Sequence, residues 1–162
     1  MHLTRPGTFA SLGLAAAPLA RAGNVIRHRM SKHESWRTRQ FWESTGGFLI
    51  EEFLAIPASS DNSVGKRLID GVIVLGEKKG IQVGGSFELK GKDIIVVQTK
   101  ANRLGMYLMG QAFFSKQIMQ RFKPSSIRTV AICEKTDKEM EVLCKANGIE
   151  VVVIKDGANN AL

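Results

Sequence analysis

Three polar residues interrupt apolar runs in places where chemistry is possible. Asp70 stands inside RLIDGVIVL (67–75), and Gln98 and Lys100 end a segment that begins IIVV (94–97). An acid within an apolar strand must be solvated at the strand end, paired, or bound to a cation. The plain structural reading pairs it with Arg67. Side chains alternate along a strand, so Gln98 and Lys100 share a face with Ile94 and Val96. Two polar heads therefore emerge where a buried strand reaches the surface, which a strand running into a solvated loop also produces. The combination suits metal-assisted phosphodiester hydrolysis. Mg²⁺, with Mn²⁺ as a substitute, takes oxygen ligands, and the Asp70 carboxylate, the Gln98 amide oxygen and the Thr99 carbonyl offer them. Lys100 can orient or deprotonate an attacking water and stabilise charge developing on phosphate oxygens.

The elements that must position these residues follow from periodicity and punctuation. Ser31 with Glu34 has the spacing of a capping box, which predicts a helix from 31 to about 45, stopped by Gly46 and Gly47. Strands are expected at 48–55, 67–75 and 94–99, the last apolar on both faces and so central in its sheet. Residues 58–65 (ASSDNSVG) form a polar loop. The five glycines of 76–92 predict a turn and a small hairpin extension. A long helix over 104–122 ends before Pro124, and a strand follows at 127–133. Thr136 with Glu139 predicts a second capping box for a helix over 137–147, closed by Gly148. A final strand covers 149–154, and 155–162 reads as a frayed tail. This order predicts an α/β domain over 31–154, with a mixed sheet and helices on both faces.

At Ile69-Asp70 and Gln98-Thr99-Lys100 the sequence resembles the PD-(D/E)xK nuclease superfamily, with Gln98 similar to the QxK variant of Mrr-like restriction enzymes. The resemblance covers 31–154 and implies a restriction-endonuclease-like αβββαβ core. It also implies a divalent-metal-dependent endonuclease that hydrolyses DNA. Asp70, Gln98 and Lys100 are then catalytic, and Asp70, Gln98 and Thr99 hold the metal. Resolvase-type members add a Glu near the start of the first helix, about a dozen residues before its terminal Gly. Glu34, 12 residues before Gly46, takes that role by position, and Glu43 competes for it. Two departures stand out: no proline precedes Asp70, and Gln98 replaces an acid. Ser60, in the place of a mobile Ser-rich loop, is a candidate substrate contact beside Arg67 and Arg103, and each also reads as an ordinary surface residue. Tyr107 and Gln111 share a helical stripe with Phe114 and Ile118 and are expected to face the core. Glu51 and Glu52 read as solvated strand charges.

Composition sets the remaining bounds. The chain of 162 residues is 44% hydrophobic and 23% charged, which excludes wholesale disorder. Its longest apolar runs have strand length, so no membrane span is expected. Two cysteines make neither a disulfide framework nor a four-ligand zinc site, and both read as small buried hydrophobes. The net charge of +8 points to a polyanionic partner and nothing finer. The resemblance implies that this partner is DNA, and cutting both strands favours a homodimer. Residues 1–30 differ in kind. Four of the 23 basic residues precede Met30 and none of the 15 acidic ones do, which leaves +4 from Met30 onwards. This leader reads as an export signal, a transit segment, or an extension before a true start at Met30, with a cytoplasmic domain in the last case. Two alternatives to a nuclease stand. One is an inactive relative that binds nucleic acid or a protein. The other is an unrelated α/β domain in which the three residues are incidental.

Overall fold

The structure, a computed structural model, describes residues 32–157, with side chains from Glu34 onwards. Ser31, expected to cap the first helix, and the 1–30 leader lie outside them. Helix α1 (Lys32–Thr45) ends where Gly46 and Gly47 take positive φ. At Gly47 only glycine fits, because a Cβ would sit 2.5 Å from the Val74 carbonyl oxygen. Strands β1 (Phe48–Ile56), β2 (Arg67–Val74) and β4 (Asp93–Thr99) are antiparallel neighbours in that order. Beyond β4 the sheet continues in parallel with β5 (Ser126–Cys133) and β6 (Ile149–Val153). The crossovers carry α2 (Met106–Met119), extended by a 3-10 turn at Gln120–Phe122, and α3 (Lys138–Ala146). No helix among the described residues is long and apolar enough to cross a membrane.

Two layers cover the sheet. On one face Phe41 and Trp42 of α1 pack on Leu49, Ile73, Ile95, Val97, Val130 and Ile132. On the other, Met119 lies over Ile50, Phe53, Val72, Val74, Ile94 and Val96, while Leu108 and Ala112 meet Ala131, Cys133, Cys144 and Ile149. The run 94–97 thus alternates between the two layers with every side chain buried, as expected of a central strand. Each such aliphatic side chain contributes about 1.5–3 kcal/mol relative to exposure.

Three expectations are corrected. The segment 76–92 is no hairpin: β3 (Gly80–Val83) crosses to the far edge and pairs in parallel with β1, giving the order β3-β1-β2-β4-β5-β6. The open edge of β1 draws it there, and Gly84 N–H to Glu51 O and Leu54 N–H to Gly85 O extend the cover beyond the strand. Helix α3 is capped by Asp137, whose carboxylate accepts from the Glu139 and Met140 N–H groups, while Thr136 donates its hydroxyl to Glu141. A carboxylate suits a helix N-terminus better than a hydroxyl. The Tyr107 stripe meets the core only at Ile118, which packs against it half-buried. Tyr107 and Phe114 are 68% and 63% exposed, and Leu108, Ala112, Ser115 and Met119 are buried instead.

Helix α1 is clamped across the whole sheet by three consecutive residues. Arg37, fully buried, donates to the Ile154 carbonyl at 2.9 Å and to Asp156 at 2.6 Å, so the tail expected past Ile154 begins with an anchored residue. Thr38 Oγ1 lies 2.9 Å from Thr99 Oγ1 of β4. Arg39 holds both oxygens of the buried Glu51 on β1. The close approach needs Gly71, where a Cβ would lie 2.9 Å from Thr38 Cγ2 and 3.3 Å from Leu49 Cδ1. We expect Gly71→Ala to cost about 1–3 kcal/mol in urea unfolding. Thr38→Ser, which removes that methyl and keeps the hydroxyl, should recover part of the loss. An unchanged midpoint in Gly71→Ala would contradict this packing.

Candidate active site

The β2–β4 ladder ends at the pair Gly71–Val97. One rung further, across from Gln98, Asp70 uses its side chain where a backbone bond would come next: Oδ2 accepts the Thr99 N–H at 2.9 Å. Lys100 has turned to the other neighbour and donates its N–H to Ile132 O of β5 at 2.9 Å. The strands part here, while β4 keeps its parallel pairing with β5 along its whole length. A second irregularity sits beside the first. Glu52 has φ +51, and it falls opposite Asp70, between the pairs Glu51–Gly71 and Phe53–Ile69. Both strands change phase at this rung: Phe53 and Ile69 join the α2-side layer, as Ile50 and Val72 do, although strict alternation would send them to the α1 side.

Charged groups converge on this parting. Lys100 Nζ lies 3.2 Å from Glu34 Oε1 and 5.6 Å from the centre of the Tyr107 ring. Glu34 is one helical turn before Thr38, whose hydroxyl also donates to the Glu34 carbonyl, so the contact of Thr38 with Thr99 sets the position of Glu34 as well. Asp70 is pushed up to about 6, first by burial in protein and then by the nearby carboxylates of Glu34 and Glu52. The Thr99 N–H and the Lys100 ammonium offset only part of this. Among the described residues, the carboxylates of Asp70, Glu34 and Glu52 and the ammonium of Lys100 therefore act on one another here.

The expected residues divide into those that meet here and those that do not. Asp70, Lys100 and Glu34 come together. Arg67 is not the partner of Asp70: it is exposed, and its guanidinium donates to the Lys66 carbonyl. Glu43, nine residues after Glu34 and so about 13 Å along the helix, pairs with Lys79 and is exposed. Gln98 is buried, and its Nε2 donates to Ser115 Oγ of α2 at 2.7 Å while Oε1 has no partner. Thr99 is buried with its hydroxyl on Thr38 and its N–H on Asp70. Arg103 is exposed, its backbone bridged to Lys135 just before α2. Ser60 is exposed in a loop organised by Asp61, whose carboxylate gathers Ser59 and Ser63 and is lowered to about 2 by those bonds. Glu52 is the residue that sequence reasoning missed, because only a positive φ brings it to Asp70.

No group of three or more His, Cys, Asp and Glu side chains among the described residues is arranged as a metal site. The donors present are all oxygens: the carboxylates of Asp70, Glu34 and Glu52, and, on the neighbouring strand position, the Gln98 Oε1, which is buried without a hydrogen bond. An acceptor stranded in this way is costly unless a donor or a cation meets it. Together with these carboxylates, it fits a hard divalent cation. No protein-family model, curated protein or solved structure matches the chain. The meaning of the site rests on its own geometry.

A folded-state value above the usual 3.8 means that folding binds a proton. Wild-type stability should then fall as pH rises from about 4 to about 6 and level off above. Asp70→Asn keeps an acceptor for Thr99 and cannot ionise. Above pH 6 it should be the more stable protein by roughly 2–3 kcal/mol. That gain should vanish near pH 4. Urea unfolding across this range checks the sign, and a gain independent of pH would contradict the assignment.

Proposed function

We propose that the protein is a divalent-metal-dependent endonuclease of the restriction-endonuclease-like fold, hydrolysing phosphodiester bonds of DNA in the cytoplasm. The observation that carries this reading is Asp70. It is an enclosed carboxylate at the parting of two central strands, with the Lys100 ammonium and the carboxylates of Glu34 and Glu52 near it, and its cross-strand neighbour Gln98 carries an unpartnered amide oxygen. Neither a structural ion pair nor a solvated strand end has these properties. The net charge of +8 supports a polyanionic substrate, and the two buried free thiols are in keeping with a reducing compartment.

In this reading Asp70, Glu34 and the Gln98 amide oxygen hold Mg²⁺, with Mn²⁺ as a substitute. When bound there, such an ion would supply Lewis-acid polarisation of the phosphate and a more acidic water. The chain's own contribution is positioning. The contact with Glu34 on one side and the Tyr107 ring on the other fixes the Lys100 ammonium, whose remaining N–H donors stabilise charge that grows on the phosphate oxygens. The Thr99 N–H fixes the carboxylate plane of Asp70, and the Ser115 hydroxyl holds the amide of Gln98 so that its oxygen is set. Exposed Arg67, Arg103 and Ser60 lie outside this cluster and are available to the DNA backbone. With no separate recognition module, contacts go to backbone charge and shape, and a homodimer supplies a second site for the second strand.

Two measurements test the reading. With Mg²⁺, wild type should cut plasmid, junction or single-stranded DNA, and EDTA should stop it. Asp70→Ala and Lys100→Ala should each lower the rate at least about 100-fold while remaining folded. Cleavage unchanged in both variants would overturn the assignment. Mg²⁺ should also raise the Tm of wild type and leave that of Asp70→Asn unmoved. The neutral Gln98, in place of an acid, favours a second reading, a nuclease fold that binds without cutting. A Tm indifferent to Mg²⁺ and Mn²⁺, with DNA binding intact, would select it.

A further inference from the structure

Beside the carboxylate cluster a groove of about 500 Å³ runs between β2 and α2, a volume typical of ligand sites. Ile69, next to Asp70, and Gln98 form its inner wall, and Tyr107, Gln111, Phe114 and Ile118 form the outer one. Its walls are aromatic where they are most open, Tyr107 and Phe114 being largely exposed. Exposed aromatic rings at this density on one helix face call for an occupant. Its inner surface is polar in a particular way. Four buried side-chain oxygens lack a hydrogen-bond partner among the described residues, and two of them, the covered Gln98 Oε1 and Gln111 Oε1, are on residues that line this groove. With the Gln98 oxygen assigned to the metal, the Gln111 oxygen still needs a donor. The one charged residue in the lining is Arg67, a cation.

We infer that the groove binds one unpaired nucleobase of the substrate strand, beside the bond to be cut. The exposed rings of Tyr107 and Phe114 offer stacking faces to a flat ring, and a turn of the Gln111 side chain would bring its Oε1 to an N–H on that ring's edge. Arg67 at the lip would take the adjoining phosphate. Bases inside a duplex are stacked and have their N–H groups paired, and extruding one costs unstacking and unpairing energy, so an occupant from a bulge, a branch or a single strand is favoured. The inference rests on the nuclease reading and narrows it to DNA with a nucleotide out of the helix.

The test uses the full chain in EDTA and two short duplexes, one fully paired and one with a single unpaired 2-aminopurine at its centre. Wild type should bind the bulged duplex about ten-fold tighter and quench its fluorescence by stacking. Phe114→Ala changes an exposed side chain and should lose both the preference and the quenching. Gln111→Leu removes the unpartnered oxygen and should reduce the preference by itself. Equal affinity of wild type for the two duplexes, or binding to neither, would overturn the inference. So would a preference that both variants retain. A second copy of the chain in the groove would overturn it too, and Phe114→Ala would then turn a dimer into monomers in sedimentation. Cleavage of the same duplexes with Mg²⁺ separates the two readings. Cutting without preference removes the base site and leaves the nuclease, whereas base capture without cutting does the reverse.

Discussion

The hydrogen bond from the Thr99 N–H to Asp70 is the interaction on which the site depends. It occurs where β4 stops pairing with β2 and the next residue, Lys100, bonds to β5. A central strand whose pairing with one neighbour runs out leaves its last backbone groups on that side unmatched. The carboxylate answers one of them and is thereby drawn into protein. Its field reaches Lys100, and Lys100 reaches Glu34. Asp70 is therefore both a patch in the ladder and the centre of the charge cluster.

That double role sets a conflict between stability and chemistry. A carboxylate raised to about 6 works against the folded state above that pH, and Glu34 and Glu52 increase the cost. The fold offsets it away from the site. Strands β2 and β4 are buried on both faces, and the clamp of Arg37, Thr38 and Arg39 joins α1 to the chain after β6, to β4 and to β1. Of these three, Thr38 also carries information to the site, since it ties Glu34 and Thr99 together. Gly71 permits that contact by having no side chain. An active-site carboxylate on a helix is thus positioned through a missing methyl group on a strand.

These arrangements differ in how far local sequence could disclose them. The order of strands and helices was legible because 48–56, 67–74 and 94–99 are strongly apolar and end at glycine, proline or charge. The edge strand β3 was not, since four residues of alternating exposure among glycines look like a turn until the free edge of β1 is known. Asp70, Gln98 and Lys100 drew notice because polar atoms in apolar strands need a reason. The partner of Asp70 did not follow, because the nearest cation in sequence, Arg67, points elsewhere and the true partner is a backbone N–H 29 residues away. Glu52 was hidden by a positive φ at a residue that seldom adopts one. The stripe of Tyr107 and Phe114 carried the hydrophobicity of a core face, and hydrophobicity alone does not distinguish a core from an open groove.

Gln98 resolves a question that its own chemistry raises. An acid at this position would add a fourth carboxylate to the site and would raise Asp70 further. The amide supplies an oxygen donor with no charge, and its NH₂ group, bound to Ser115, fixes which way that oxygen is presented. A glutamate could not use the Ser115 hydroxyl in the same way without turning a charged oxygen into the apolar wall of the groove. The neutral residue thus follows from what surrounds it. Glu52 already brings the third carboxylate, and the groove that Gln98 shares with Ile69 and Phe114 has its one charge, Arg67, among the exposed residues.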